Sequence, residues 1–208
     1  MRRLLAFTSV LAVSAVLAAC SSGGQSSDTD ATTQAAATEA AAPATTEAAG
    51  GVTGGTDADD DDIVNSCAGV ALVIDTGDLG DDAGDAVEDA LDAAEGAWCI
   101  DTDAAITARE ALDLVGASTE GTTEYGDAVL CRVNGVPAAD FPLVNSADGS
   151  SVLETCATMP AAHAYWSMWL KPAGGEWGYA MEGVDTQKLA PGEALELLFT
   201  LNGAPATP

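Results

Sequence analysis

The sequence predicts an α+β domain in which helices cover one face of a mixed β-sheet, preceded by a disordered linker. A continuous β-branched run at residues 69–75 is typical of a strand that is buried on both faces. Two segments with helical periodicity follow it, at residues 82–95 and 108–115. From residue 122 to 201, short apolar stretches are separated by Gly, Pro and Asn turn signals, which is typical of strands. This order, in which a strand and two helices precede a series of mostly antiparallel strands, is typical of α+β domains.

The first residues have the layout of a secretory signal peptide. Arg2 and Arg3 precede an apolar run from Leu4 to Leu17, and the segment ends in Leu17-Ala18-Ala19-Cys20, which resembles a bacterial lipobox. An uncleaved membrane helix is the alternative, but such a helix needs about 20 apolar residues. We therefore expect residues 1–19 to be removed, Cys20 to be lipidated, and the protein to be held at the outer face of the cell membrane.

Residues 20–62 are predicted to be a disordered, acidic linker rich in Ala and Thr. The segment has no aromatic residue and a single large aliphatic residue, Val52, so it cannot bury enough apolar surface to offset the entropy of ordering. A flexible coil of this length would span roughly 35 Å. The folded domain is therefore expected to be residues 63–208.

The charge balance excludes several classes of partner. Six basic residues stand against 33 acidic ones, a net charge of −27, and Arg2 and Arg3 belong to the predicted signal peptide. This balance argues against nucleic acid and against electrostatic binding to anionic lipid. It suits a surface that repels its own copies, so we expect a monomer.

Four cysteines lie in the predicted domain: Cys67, Cys99, Cys131 and Cys156. An even number in an exported domain predicts disulfide bonds. A four-cysteine zinc site is the alternative, but no Cys-x-x-Cys pair is present. Three pairings are possible, and we expect the sequential one, Cys67–Cys99 and Cys131–Cys156.

The second helix has the sharper end signals. Thr107 and Glu110 form a capping-box pattern, and Gly116 is placed to end the helix. Farther along, residues 128–133 alternate and lead into an Asn134-Gly135 hairpin turn. Tyr165 to Leu170 alternate again, and residues 176–180 are predicted to return as the paired strand. A Pro191-Gly192 turn precedes the last strand.

The segment from Tyr165 to the last strand resembles the closing hairpin of the transcobalamin C-terminal-like domain, a β-grasp module of the soluble-ligand-binding type. The likeness rests on Tyr165-Trp166-Ser167, on Trp177 and Tyr179, on Gly183-Val184 and on Pro191-Gly192-Glu193. It implies a β-grasp-like fold for residues 63–208, and together with the aromatic hairpin it leads us to expect a small ligand that is corrinoid-like or a glycan fragment. Glu193 departs from the usual Asp, and the helical cobalamin-binding partner domain is absent from this sequence, so no corrin contact or cobalt ligand carries over.

The aromatic hairpin is the candidate ligand site. Trp166, Met168 and Leu170 share one face of the predicted strand and form the better core set. The other face is expected to be partly exposed to solvent, and such an aromatic surface suits the binding of flat or sugar-like ligands. Packing of both faces into a core is the alternative. The predicted ligand-binding residues are Tyr165, Ser167, Trp169, Trp177 and Tyr179.

Other candidate sites have weaker support. His163, the single histidine, is expected at the start of a strand instead of in a metal or cofactor site. The acidic runs at residues 57–62 and 75–85 do not match the EF-hand Ca²⁺ pattern, and such runs are usually solvated. No nucleophile-elbow, zinc-protease or P-loop motif is present, so no catalysis, metal or cofactor is expected.

The predicted function is therefore that of a lipid-anchored extracytoplasmic binding protein for a small ligand. The alternative is a domain that docks a cell-envelope protein or cell-wall component through the same aromatic residues. A concave pocket favours the first function and a flat aromatic patch favours the second.

Overall fold

The computed structural model describes residues 51–80, 84–203 and 208. The predicted signal peptide (residues 1–19), Cys20 and the predicted linker up to residue 50 lie outside the described residues. None of the helices in the described ranges is long and apolar enough to cross a membrane.

The described residues contain three α-helices: α1 (Asp60–Ser66), α2 (Asp85–Asp92) and α3 (Ala108–Val115). A short 3₁₀ helix, Gly77–Gly80, follows the second strand. The strands are β1 (Val52–Gly55), β2 (Val70–Asp75), β3 (Gly96–Ile100), β4 (Ile106–Thr107), β5 (Thr119–Thr122), β6 (Gly126–Val133), β7 (Pro142–Val144), β8 (Ser151–Leu153), β9 (Ala164–Lys171), β10 (Gly178–Tyr179), β11 (Lys188–Leu189) and β12 (Ala194–Leu201).

Six strands form a mixed sheet in the order β1-β3-β2-β12-β9-β10. The pair β2–β12 is parallel, and the other neighbouring pairs are antiparallel. Strand β12 lies in the middle, and all its residues except Leu201 are buried, because neighbouring strands flank it and both faces are covered. The α+β class and the mixed sheet are confirmed.

Helix α3 forms as its end signals predict. The Thr107 side chain accepts a hydrogen bond from the Glu110 backbone, the Glu110 carboxylate accepts one from the Thr107 backbone, and Gly116 ends the helix in the left-handed conformation at φ 77°. Its Ala111 and Leu112 pack against the sheet in the main hydrophobic core.

The two helices that the sequence predicted, α2 and α3, pack on the same face of the sheet, but a helix that it did not predict, α1, lies on the opposite face. Trp98 and Ile100 of β3 belong to the core that contains α3, and we call this face the α3 face. Cys99 lies between them, so its side chain points to the opposite face, where it is bonded to Cys67 at the end of α1. We call this second face the α1 face. The sequence did not reveal α1 because this helix buries none of its residues completely and carries no apolar stripe that a pattern could detect.

The predicted linker extends too far. Residues 52–55 form β1, which pairs with β3, and residues 60–66 form α1, which is capped by the Asp59 carboxylate. The pattern of apolar residues could not reveal β1, because this strand is Val-Thr-Gly-Gly and has no buried side chain; only its backbone hydrogen bonds to β3 define it. A Cβ at Gly54 would stand 2.2 Å from the Ala97 carbonyl oxygen, so the strand needs glycine for this close approach.

Both predicted disulfides are present. Cys67–Cys99 joins α1 to β3, and Cys131–Cys156 joins β6 to the segment that follows β8. Their Cα–Cα distances are 5.4 and 5.5 Å, which suit unforced bridges. The Asn134-Gly135 turn is also present, with Val133 and Val136 exchanging two backbone hydrogen bonds across it.

Candidate functional site

The aromatic hairpin consists of β9 and the short strand β10, as predicted. Trp166, Met168 and Leu170 lie on the α3 face, where they are partly buried and pack against the main core. The indole N–H of Trp166 donates a hydrogen bond of 3.1 Å to the Val136 carbonyl, and its ring meets Phe199 edge to face at 5.3 Å. These contacts confirm the predicted core set and hold Trp166 in one orientation.

The opposite side of β9 is not the open face that the sequence predicted. Ser167 is 3% exposed and Trp169 is 5% exposed. The Ser167 hydroxyl donates to the Leu198 carbonyl at 2.8 Å and accepts from the Trp169 indole N–H at 3.1 Å and the Thr200 hydroxyl at 3.2 Å. One donor and two acceptor positions are therefore in use, and Ser167 has no capacity left for a ligand.

Tyr179 is the residue that covers Trp169. The two residues are paired across β9 and β10, and their rings stack with centroids 4.0 Å apart. Tyr179 is itself 48% exposed, and partial burial together with the neighbouring Tyr165 phenol raises its pKa to about 12. Trp177 is partly exposed on the same hairpin, and the Lys171 ammonium lies 5.8 Å from the centre of its ring. Of the five predicted ligand-binding residues, Ser167 and Trp169 are buried, whereas Tyr165, Trp177 and Tyr179 keep exposed aromatic surface.

A pocket of about 400 Å³ lies on the α3 side of β9, opposite Ser167 and Trp169. Three segments that are distant in the sequence form its walls, namely residues 128–130 of β6, residues 159–162 and residues 183–184. Trp166 and Met168 of β9, with Leu197 of β12, form the apolar floor, and Tyr165 borders it. Sequence reasoning assigned Trp166 and Met168 to the core alone and did not identify the three wall segments.

The walls are held by bonds outside the pocket. The Cys131–Cys156 disulfide ties β6 to the chain three residues before Met159. The Thr123 amide donates to the Cys156 carbonyl at 2.7 Å, and the Arg109 amide donates to the Val184 carbonyl at 2.9 Å. The pocket is therefore largely formed before any ligand binds, which lowers the entropy cost of binding.

The lining determines which chemistry the pocket can accept. It has no charged side chain, and the exposed Met159 lies at its rim. Two arginines beside the wall segments are engaged elsewhere, because Arg109 pairs with Asp185 and Arg132 of β6 pairs with Glu120. Such a pocket favours an uncharged ligand whose surface is mainly apolar.

His163 lies just before β9, as predicted. Its Nε2 atom is 3.4 Å from the Leu143 carbonyl oxygen, and the backbone of His163 accepts a hydrogen bond from Asn202. Among the described residues, Glu120, Cys131 and Cys156 form the one cluster packed closely enough to hold a metal ion. Both cysteines are in a disulfide, so their sulfurs are not free thiolates for a metal.

Comparison with known proteins identifies no relative. No family model, no curated protein and no solved structure matches this chain.

Proposed function

We propose that this protein binds a small, uncharged and mainly apolar molecule in the pocket between β6, β9 and residues 159–162. One observation carries the proposal: a preformed cavity of about 400 Å³ whose floor is made by Trp166, Met168 and Leu197. Cavities of roughly 300–1,000 Å³ with apolar linings are the usual size and character of small-molecule sites.

The pocket favours one class of ligand over the two, corrinoid-like and glycan, that are expected from the sequence. A glycan would place many hydroxyl groups against apolar walls that offer few hydrogen-bond partners, which is unfavourable. A bulky corrinoid would leave much of its surface outside a cavity of about 400 Å³. A compact aromatic or aliphatic molecule suits both the volume and the lining, and we propose this class.

The proposal includes the setting that the N-terminus indicates. We propose that Cys20 carries a lipid anchor and that the binding domain is presented outside the cell membrane. The transcobalamin-like, β-grasp assignment belongs to the same proposal. Support comes from the mixed sheet and from the aromatic strand β9, which contributes the pocket floor.

A pocket-filling variant tests the function. The purified protein is screened by thermal shift against uncharged aromatic and aliphatic molecules, with charged analogues of the same skeletons. We expect uncharged members to raise the melting temperature and their charged analogues to have little effect. In Ala161→Phe the new ring occupies the pocket, so the shift should disappear, whereas Ala139→Phe, at an exposed position outside the pocket, should keep it.

The proposal fails if no uncharged compound binds or if Ala161→Phe binds as well as the parent protein. A second candidate function is docking of a cell-envelope partner, and the half-exposed Tyr179 favours it. The same Ala161→Phe variant would leave such docking intact, while Tyr179→Ala would abolish it, because binding energy concentrates in aromatic anchors.

A further inference from the structure

Three methionine side chains lie at or near the apolar pocket, and they differ in how far solvent reaches them. Met168 forms part of the floor and is half-buried, whereas Met159 lines the pocket and is 58% exposed. Met181 is 92% exposed and is not part of the lining. The four cysteines of the described domain are bonded in disulfides, so these thioethers are the sulfur groups of that domain that remain readily oxidised.

The segment that carries Met159 is hydrogen-bonded at its two ends but not at the methionine itself. The Glu124 amide donates to the Ala157 carbonyl at 3.1 Å, and the Asn202 amide donates to the His163 carbonyl at 2.7 Å. Among the described residues, the backbone of Met159 takes part in no backbone–backbone hydrogen bond. The chain therefore keeps Met159 at the pocket, while its unbranched thioether remains able to adapt to the surface of a bound molecule.

Exposure and position together distinguish one of the three sulfur atoms. Oxidation follows exposure, so Met159 and Met181 should react before Met168. Met181 lies outside the lining, so its oxidation leaves the pocket surface unchanged. Among the described residues, Met159 is the one methionine that is both largely exposed and part of the pocket lining.

Oxidation changes the chemistry of the pocket rim. When a thioether sulfur attacks hydrogen peroxide, an S–O bond forms as the O–O bond breaks, and the departing hydroxide takes the proton of the transferred oxygen and leaves as water. The sulfur is oxidised by two electrons, and the peroxide is reduced by the same two. The resulting sulfoxide is polar, so an apolar molecule that binds against it removes its hydration without offering a hydrogen bond in return.

We propose that Met159 is an oxidation site that regulates this pocket: the thioether form binds the apolar ligand, and the sulfoxide form binds it more weakly. The inference rests on the proposed binding function, and the oxidant is a peroxide. The pocket lining supports it, because no charged side chain is present there to bond the new oxygen. The proposed position outside the cell membrane also supports it, because the thiols that keep cytosolic proteins reduced do not act there.

The test uses the purified full chain and the uncharged dye phenylnaphthylamine, whose fluorescence rises in apolar surroundings. Dilute hydrogen peroxide should add one oxygen atom to Met159 and to Met181 before Met168, which peptide mass spectrometry measures. The affinity for the dye should then fall roughly threefold or more, because the sulfoxide loses its hydration in the complex. The circular-dichroism spectrum should stay that of the untreated protein, since the oxidised side chains are exposed.

Conservative variants separate Met159 from the other methionines. Met159→Leu keeps an apolar rim but has no sulfur, so it should bind the dye as the parent does and keep its affinity after peroxide treatment. Met181→Leu is the matched control, because it retains Met159 and should lose affinity on treatment as the parent does. Met159→Gln places a polar amide at the rim and should bind the dye more weakly before any treatment.

The outcomes distinguish the regulation from the function on which it rests. A compound from the thermal-shift screen takes the place of the dye if the dye does not bind, and if neither binds the untreated protein, the proposed function fails and the regulation fails with it. If the untreated protein binds the probe and the protein with oxidised Met159 binds it equally well, the regulation alone is overturned. A loss of affinity in peroxide-treated Met159→Leu as large as in the treated parent would also overturn it, because the effect would then come from another residue.

Discussion

Tyr179 covers Trp169, with the two rings stacked at 4.0 Å across the hairpin of β9 and β10. This stacking shows that Trp169, on the α1 face, serves mainly in packing. Trp169 is buried beneath Tyr179, and its indole N–H is bonded to Ser167. The surface that remains for a ligand is therefore on the other side of β9, where Trp166 and Met168 form the floor of the apolar pocket.

The first prediction separates the two rings of this pair. Trp169→Ala removes a buried ring and should lower the free energy of unfolding by about 3–5 kcal/mol. Tyr179→Ala removes a half-exposed ring and should cost only about 1 kcal/mol, mainly the lost stacking. Urea denaturation of both variants measures this. Equal losses would mean that Tyr179 is as much a core residue as Trp169.

The second prediction concerns the hydroxyl of Ser167. Ser167→Ala leaves the Trp169 indole N–H and the Leu198 carbonyl without their partner in a buried setting. The free energy of unfolding should fall by about 1–3 kcal/mol. Ser151→Ala, at an exposed position on β8, should change it little. If the two variants are equally stable in denaturation, the hydrogen bonds of Ser167 do not contribute to stability.

The third prediction is a dependence of stability on pH in the absence of divalent ions. Burial, followed by repulsion from Asp75 and Asp60, raises the pKa of Glu196 from 4.5 to about 8 on folding, so the folded protein binds this proton more tightly than the unfolded chain. The associated stability is present below pH 4.5 and is lost as the pH rises toward about 8. Glu196→Gln keeps a neutral side chain throughout, so its free energy of unfolding should decline less over this range.

Glu110 supplies a control of opposite sign. Hydrogen bonds from Thr107 lower its pKa, so its contribution is present above its ordinary pKa and is lost as the pH falls. Glu110→Gln should therefore destabilise the protein at neutral pH and have little effect in acid. A Glu196→Gln variant whose pH profile runs parallel to that of the parent would contradict the third prediction.

The fourth prediction compares the two disulfides. Each closes a loop of a few tens of residues, so each double Cys→Ala variant should lose about 3–4 kcal/mol in the loop-entropy model. Only the Cys131–Cys156 pair holds walls of the apolar pocket. Its removal should also weaken binding of any compound found in the thermal-shift screen, whereas removal of Cys67–Cys99 should leave that affinity unchanged.

The fifth prediction concerns the proposed anchor. In a bacterial host, the parent protein should incorporate labelled fatty acid and sediment with membranes, since an acylated Cys20 with two or more chains is held stably. Cys20→Ser removes the sulfur that accepts the lipid, so labelling should disappear. Labelling of this variant at the parent level would rule out Cys20 as the lipidation site.

Local patterns in the sequence were sufficient for much of the fold. The capping box of Thr107 and Glu110, the left-handed Gly116 and the Asn134-Gly135 turn are set by contacts within a few residues, and all three are present. The alternation of β9 correctly separated Trp166 and Met168 from Ser167 and Trp169. The even number of cysteines predicted two disulfides, which require no knowledge of the core.

Only the tertiary structure decided which side of β9 is open to a ligand. Alternation shows that two sets of side chains point in opposite directions, but it does not show what covers each set. Trp169 is covered by Tyr179 and Ser167 is enclosed by β12, whereas the floor made by Trp166 and Met168 remains partly open. The pocket walls come from residues 128–130, 159–162 and 183–184. Such sites depend on distances between segments far apart in the chain, which folding alone brings together.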